Sequence, residues 1–337
     1  MRIFSGIQPT GRKHLGNYIG AIRQYVEGQQ RAADAGDVAI YCVVDLHAMT
    51  VPTFDPAEIR DRVYDTAAIL LAAGLDPDRC VFIRQSDVPE HTELAWHLSA
   101  VCSHGDLNRM HQFKEKAGSQ RDLASAALFT YPVLMAADVL AYRAAEVPVG
   151  DDQRQHVELM RDLADRFNAR FGEGVLVAPE IRIPGAGARI MDLQEPTRKM
   201  STTGGSEAGT VYVLDDEATT LKKFKRAVTA SDDPPRIARG ADKPGVTNLI
   251  DILAAASGAG HEQVEADLAG ARGYGDLKVA TGEAVNALLA PVRERYPEIR
   301  ADEAALEQVF AAGAQKARAI ASETLRDVRT ALGVGVP

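Results

Sequence analysis

At 337 residues the chain is long enough for two domains, or one large domain with an insertion, and 46% apolar with 25% charged residues excludes wholesale disorder. Its 38 basic and 47 acidic residues leave a formal charge of -9, so the global basic field of a non-specific nucleic-acid binder is absent. Aromatics make up 6%, with Trp96 the single tryptophan, too few for a base-stacking platform.

Arg2–Ile7 reads as a short apolar strand, followed by the loop Gln8–Lys13 and a helix from about Leu15 to Ala33. Val38–Val44 is a continuous β-rich run, typical of a parallel strand covered on both faces. Pro56 suits a first helical turn, and that helix runs to Ala73 before Gly74, Asp76 and Pro77 stop it. Cys80–Ile83 is a third strand and His91–Cys102 a further helix. Such alternation argues a doubly wound α/β sheet. Leu123–Tyr142 reads as a helix interrupted near Pro132, and Val147–Val149 as a short strand. Asp151–Phe171 is a strong amphipathic helix whose first residues, Asp151 and Asp152, favour its dipole. Arg182–Leu193 reads as a hairpin turning at Gly185 and Gly187.

After Ser201–Gly209 helical patterns dominate, broken at Pro234-Pro235 and Pro244-Gly245. The composition shift near residue 195 divides the expected domains. Residues 1–195 form the α/β part and residues 196–300 the helical part, with a C-terminal helix at about 300–337 free to pack back on the first. Cys42, Cys80 and Cys102 have no metal-ligand spacing, the first two lie in apolar strand-like runs that read as reduced, buried thiols, and no metal site of the chain's own is expected. The absence of any leader-like or long apolar segment predicts a soluble, cytoplasmic protein with no membrane contact.

The first chemical signal is Phe4–Asn17. A strand ends, a turn with Gly6, Pro9 and Gly11 follows, and a helix opens at His14-Leu15-Gly16-Asn17. Open α/β sheets place ligands at the carboxyl ends of strands, and a helix N-terminus offers free N–H groups to phosphate. Gly16 lacks the Cβ that would block a flat ring such as adenine, and His14 and Asn17 share one face. On residues alone two readings stand: a phosphate site, or a pair that caps a surface helix. The spacing fits neither a Walker loop nor a dinucleotide fingerprint. A second loop, Lys199-Met200-Ser201-Thr202-Thr203, places a lysine beside hydroxyls, which suits the charge developing on a pyrophosphate leaving group.

Together these loops resemble the paired "HIGH" and "KMSKS" signatures of class I aminoacyl-tRNA synthetases, and the closer likeness is to the bacterial tryptophanyl-tRNA synthetases. The resemblance runs through Phe4–Asn17, Val43–Thr50, Gln112–Lys116, Thr130–Tyr142, Val147–His156, Ala188–Thr203 and Lys243–Leu249, most of the chain. It departs at His14, where the family commonly has threonine, and at Thr202 and Thr203, which replace the second lysine and final serine of the flexible loop.

The resemblance implies a Rossmann-like nucleotide-binding domain with an α-helical anticodon-binding domain, acting as a homodimer on L-tryptophan, ATP (carrying Mg2+) and tRNA(Trp). His14, Asn17, Lys116 and Lys199 would be catalytic, with Lys116 partly offsetting the missing loop lysine. ATP would meet Gln8, Gly16, Asn17, Gly150, Asp152, Lys199, Met200, Ser201, Thr202 and Thr203. Tryptophan would meet Phe4, Gly6, His47, Tyr131, Met135, Asp138, Val147, Val149 and Gln153. Met135, Asp138 and Tyr142 share one helix face, and an apolar thioether beside a carboxylate suits a flat aromatic ring with one N–H. The resemblance assigns Asp138 to the indole N–H and Gln153 to the amine.

Three alternatives stay open: a tyrosine-specific enzyme of the same class, another nucleotidylyltransferase acting on a small acid, and a catalytically weak paralogue that senses tryptophan or tRNA. Between Thr219 and Ala241, Lys222, Lys223, Lys225, Arg226, Arg236 and Arg239 stand against Asp232 and Asp233, a local excess of 6 minus 2, or +4. That window is the expected tRNA-facing patch of an otherwise acidic chain.

Overall fold

A computed structural model describes residues 1–50, 55–111, 125–183, 189–201, 205–232 and 234–335. The strands β1 (Ile3–Ile7), β2 (Ala39–Val43), β3 (Val81–Arg84), β4 (Glu146–Pro148) and β5 (Glu180–Arg182) form one sheet in the order β3-β2-β1-β4-β5. Every pairing is parallel, with Ile3 opposite both Ala39 and Glu146, Ile40 opposite Val81, and Glu146 opposite Glu180. The chain winds outward from β1 to β3, then returns across the sheet to β4. The order therefore reverses between β1 and β4, and the crevice above their carboxyl ends is where such sheets hold ligands.

All five residues of β2 are buried because both sheet faces are covered. Alternate residues feed two cores. Ile3, Tyr41, Val43 and Phe82 pack on one face with the helices Arg23–Asp34 and Pro56–Ala72. Phe4, Ile40, Cys42 and Ile83 pack on the other with the helices Glu90–Ser99, Ala126–Leu140 and Arg154–Phe171. Burial raises the Cys42 thiol well above its ordinary range, in keeping with an inert core residue.

The helix after the first loop widens: Leu15–Asn17 is α-helical, Tyr18–Ile22 a π-helical turn, and Arg23–Asp34 α-helical again. Pro132 lies inside the helix Ala126–Leu140 without interrupting it. Burial of Leu128, Tyr131, Val133 and Ala136 outweighs the missing proline N–H, so the expected break does not occur. The expected hairpin over Arg182–Leu193 is also corrected. β5 ends at Arg182 as a parallel neighbour of β4, and beyond it Met191 bridges antiparallel to Lys199. Gly185 and Gly187 lie outside the described residues. Pro244 does not break a helix but opens one, at the first turn of Pro244–Ser257, where its missing N–H costs nothing.

In the second half, the helix Tyr274–Ala301 packs against Glu217–Lys225, Pro244–Ser257 and Pro56–Ala72. The last helix, Glu303–Leu332, lies back along β3. Its Gly313 makes this approach possible, since a Cβ there would sit 1.8 Å from the Phe82 carbonyl oxygen. Among the described residues no helix is long and apolar enough to cross a membrane.

Candidate active site

The loop leaving β1 is held from within. Lys13 is 6% exposed, and its Nζ donates to the carbonyls of Gln8 at 2.8 Å and Thr10 at 3.4 Å. Burial, with Arg62 nearby, pushes this ammonium down to about 8. The next residue, His14, is the N-cap of the helix. Its Nδ1 accepts the Asn17 N–H at 3.3 Å, while the Asn17 side-chain oxygen accepts the His14 N–H at 3.1 Å.

His14 and Asn17 are thus a reciprocal cap, as the simpler of the two sequence readings has it, and the cap selects a tautomer. Nδ1 is an acceptor, so the imidazole proton sits on Nε2 and is free to donate. Burial pushes His14 down to about 4, assisted by the charges of Lys13 and Lys199, so the ring is neutral near pH 7. Gly16 packs under this ring, where a Cβ would meet it at 3.0 Å.

The second signature reaches the same place from the other side. Met191 and Lys199 form an antiparallel bridge, and the Met200 N–H donates to the Ile190 carbonyl. Lys199 Nζ lies 3.8 Å from Asp152 Oδ1, beyond the carboxyl end of β4. Burial alone would raise the Asp152 carboxyl, but the Gln153 amide and the Lys199 ammonium outweigh it and hold it low. His14, Asp152 and Lys199 are therefore brought together from three segments. Met200 is corrected: its side chain is 1% exposed and belongs to the core that also holds Ile190 and Leu15. Gln8 is exposed on the loop and Gly150 exposed after β4, while Ser201 accepts the Thr210 hydroxyl through its carbonyl at 3.4 Å. Lys116, Thr202 and Thr203 lie outside the described residues.

A second, buried network is centred on Asp138, which is 2% exposed, at the carboxyl ends of β2 and β3. Gln85 Nε2 donates to both of its oxygens, at 2.9 and 2.8 Å, and His47 Nε2 is hydrogen-bonded to Oδ2 at 2.9 Å. The Gln85 Oε1 accepts the N–H groups of Leu46 and His47, tying the end of β3 to the turn after β2. His91 Nδ1 is 3.2 Å from Asp138 Oδ1 without the alignment of a hydrogen bond, and its Nε2 is bonded to the Tyr142 hydroxyl at 2.5 Å. Burial lowers the His91 pKa and favours its neutral form. A carboxylate offers about four acceptor positions, so Asp138 retains room for one incoming N–H.

Apolar walls surround it. Phe4 stacks on Tyr142 with ring centroids 5.6 Å apart, and Tyr131 meets His47 edge-on while its hydroxyl bonds His156 at 2.8 Å. Met135 is half-buried one helical turn before Asp138. Val147 is buried within β4, Val149 is half-buried beyond it, and Gly6 is exposed at the neighbouring end of β1. The Gln153 amide, expected to meet an amine, donates here to Asp152 at 2.9 Å.

His91 and His156 are site residues that sequence reasoning missed, as are Gln85 and Lys13. Gln85 sits just past β3, the same strand-end position that drew attention to His47, and that rule could have found it. Lys13 carries no sequence signal of burial, since lysine is almost always exposed. The basic window is also corrected. Lys223 is 7% exposed and spends its ammonium on Asp215 and the Thr210 carbonyl, each at 2.7 Å, while Arg239 is paired with Asp251 at 2.8 Å. Lys222, Lys225 and Arg226 are exposed and together line a groove with Ala218 and Leu221.

A family model described as tRNA synthetases class I (W and Y) matches residues 1–290. The chain is 48% identical over 334 residues to tryptophan–tRNA ligase 2 of Streptomyces avermitilis, covering 98% of this chain and 96% of that protein. Its fold is similar to the crystal structure of tryptophanyl-tRNA synthetase from Mycoplasma pneumoniae, with TM-score 0.89 and 34% identity over 99% of this chain and 98% of that one. It is also similar to the Campylobacter jejuni tryptophanyl-tRNA synthetase complexed with ADP and tryptophan, with TM-score 0.81 and 33% identity over 99% and 100% of the two chains. The strand order, the two converging loops and these full-length matches agree: the chain belongs to the class I tRNA synthetases, in the group of the tryptophan and tyrosine enzymes.

Proposed function

We propose that the chain activates L-tryptophan with ATP, forming tryptophanyl-adenylate and pyrophosphate, and then transfers the tryptophanyl group to tRNA(Trp). The observation that carries this reading is a buried, multiply bonded carboxylate, Asp138, in a fold that also gathers His14, Asp152 and Lys199. The first suits an aromatic ring with a single N–H, the second a polyphosphate. The full-length likeness to tryptophan–tRNA ligase 2 supports the same substrate.

The substrate carboxylate is already a nucleophile, so the reaction needs positioning and charge stabilisation more than proton transfer. Its oxygen attacks the α-phosphorus while the bond to pyrophosphate breaks. Asp138 would accept the indole N–H, with Phe4, Gly6, His47, Tyr131, Met135, Val147 and Val149 shaping the pocket and Gln153 meeting the ammonium. Gly16 would admit adenine. ATP enters as its Mg2+ complex, met by Gln8, Asn17, Gly150 and Asp152 and by the loop residues Met200 (through its backbone), Ser201, Thr202 and Thr203. The Nε2–H of neutral His14 would donate to phosphate oxygens, and the ammonium groups of Lys199 and Lys116 would stabilise the leaving pyrophosphate.

In this reading the helical residues 196–300 approach the tRNA anticodon, with Lys222, Lys225 and Arg226 as phosphate contacts, and residues 1–195 carry the chemistry. The working unit is a cytoplasmic homodimer, which sedimentation of the purified chain would test. ATP–pyrophosphate exchange with each standard amino acid tests the activity. Exchange that depends on tryptophan, followed by charging of tRNA(Trp), supports the reading; exchange with tyrosine in its place overturns it.

A further inference from the structure

Arg12, between the strand end and the His14 cap, joins the two ligand loops through a cluster that substrate contact does not require. Its guanidinium lies over the Tyr212 ring, 3.7 Å from the centroid. One end pairs with Asp215 at 3.1 Å and the other with Glu207 at 3.3 Å. Lys223 completes the cluster, bonding the other Asp215 oxygen and lying 4.8 Å from the same ring on Tyr212. Two cations thus meet two carboxylates around one aromatic ring, and Asp215 is 6% exposed.

The backbone follows the same seam. The Leu15 N–H donates to the Val211 carbonyl at 2.8 Å, and the Val213 N–H to the Lys13 carbonyl at 2.9 Å. Thr210 reaches back to the Ser201 carbonyl in the second signature. The strip from Glu207 to Asp215 is therefore bonded to the first loop at one side and to the stem of the second loop at the other.

We propose that Arg12 is a positioning residue that locks the nucleotide loop after β1 to the strip following the second signature, so that His14 and Lys199 are presented to the phosphates in one fixed geometry. This deepens the adenylation reading and rests on it. The lock matters in this chain because Lys199 is the sole lysine between Glu195 and Lys222, and Arg198 beside it is drawn toward Glu195 at 3.7 Å. With one lysine in this loop in place of two, the position of the Lys199 ammonium matters more to stabilising the leaving group. Lys223 keeps Asp215 paired and the backbone bonds keep the strip attached, so removing Arg12 loosens the side-chain part of the lock without dismantling either loop.

Arg12→Met keeps the alkyl stem and removes both the charge and the stacking. The expected result is a fall of about 10- to 100-fold in kcat/KM for ATP in tryptophan-dependent pyrophosphate exchange, the cost of a misplacement near 1 Å, with KM for tryptophan unchanged. Arg12→Lys, which restores the cation but not the planar stacking, should recover part of the loss. Unchanged ATP parameters in Arg12→Met, or an equal loss for ATP and tryptophan, would overturn the proposal. Should that variant fail to fold, Tyr212→Leu removes the ring that Arg12 and Lys223 share while keeping every charged residue, and is judged by the same two outcomes. Absence of wild-type exchange with tryptophan would overturn the adenylation reading and the lock with it, whereas an indifferent Arg12→Met overturns the lock alone.

Discussion

Asp138 concentrates the residue-scale chemistry. A hydrogen bond to a charged group contributes about 1.5–3 kcal/mol, so Asp138→Ala is expected to lower kcat/KM for tryptophan by roughly 10- to 100-fold, measured by exchange, with KM for ATP changed less. Because Gln85 bonds both carboxylate oxygens, Gln85→Leu should give a smaller loss in the same parameter by freeing the Asp138 rotamer.

His14 predicts a pH dependence of stability. Its folded pKa is about 4 against an ordinary 6.5, so between those values the unfolded chain binds a proton that the folded chain refuses. The stability associated with the neutral ring is fully present above pH 6.5 and is lost as pH falls toward 4. His14→Asn, which keeps an N-cap, should flatten part of that slope in urea unfolding measured from pH 7 to 4.5. At this scale loop context singled out His14 and Lys199, and the fold brings the two near each other. The sequence was silent where burial decided the outcome. Lys223 reads as a surface charge, yet the fold seals it against Asp215.

Between elements, close approach sets the energetics. Gly313 lets the last helix rest on β3, with Phe82 and Phe310 in contact at 5.4 Å between centroids and Arg84 paired to Glu307 at 2.7 Å. Gly313→Ala should destabilise the chain by about 3 kcal/mol, the upper end for overpacking, seen as a lower midpoint in denaturant. Lys223→Met leaves Asp215 with Arg12 and the Tyr212 N–H, and should cost about 1.5–3 kcal/mol, as losing one hydrogen bond to a charged group does. The first four strands and the helix starting at Pro56 were readable from local pattern, since the apolar runs of β1 to β3 are buried and Asp55 caps the helix with Pro56 behind it. The continuity of the helix through Pro132 and the strand β5 were not, because packing kept one helix whole and pairing with β4, not local pattern, defines the other.

For the whole molecule, the charge of -9 coexists with a tRNA partner only if binding is local. Neutralising Lys222, Lys225 and Arg226 together should weaken tRNA binding and reduce its salt slope by about 2–3, with pyrophosphate exchange unchanged. By itself the sequence determined the doubly wound class, the two signature loops and the residue types at their strand ends, because period, glycine and capping act over a few neighbours. Only the tertiary structure decided that Gln85 grips Asp138, that Met200 belongs to the core, that Lys223 is spent internally, and that Arg12 spans to Tyr212. Each of these depends on residues distant in sequence meeting, and in the buried cases on pairing and packing that replace water as the partner of most polar groups.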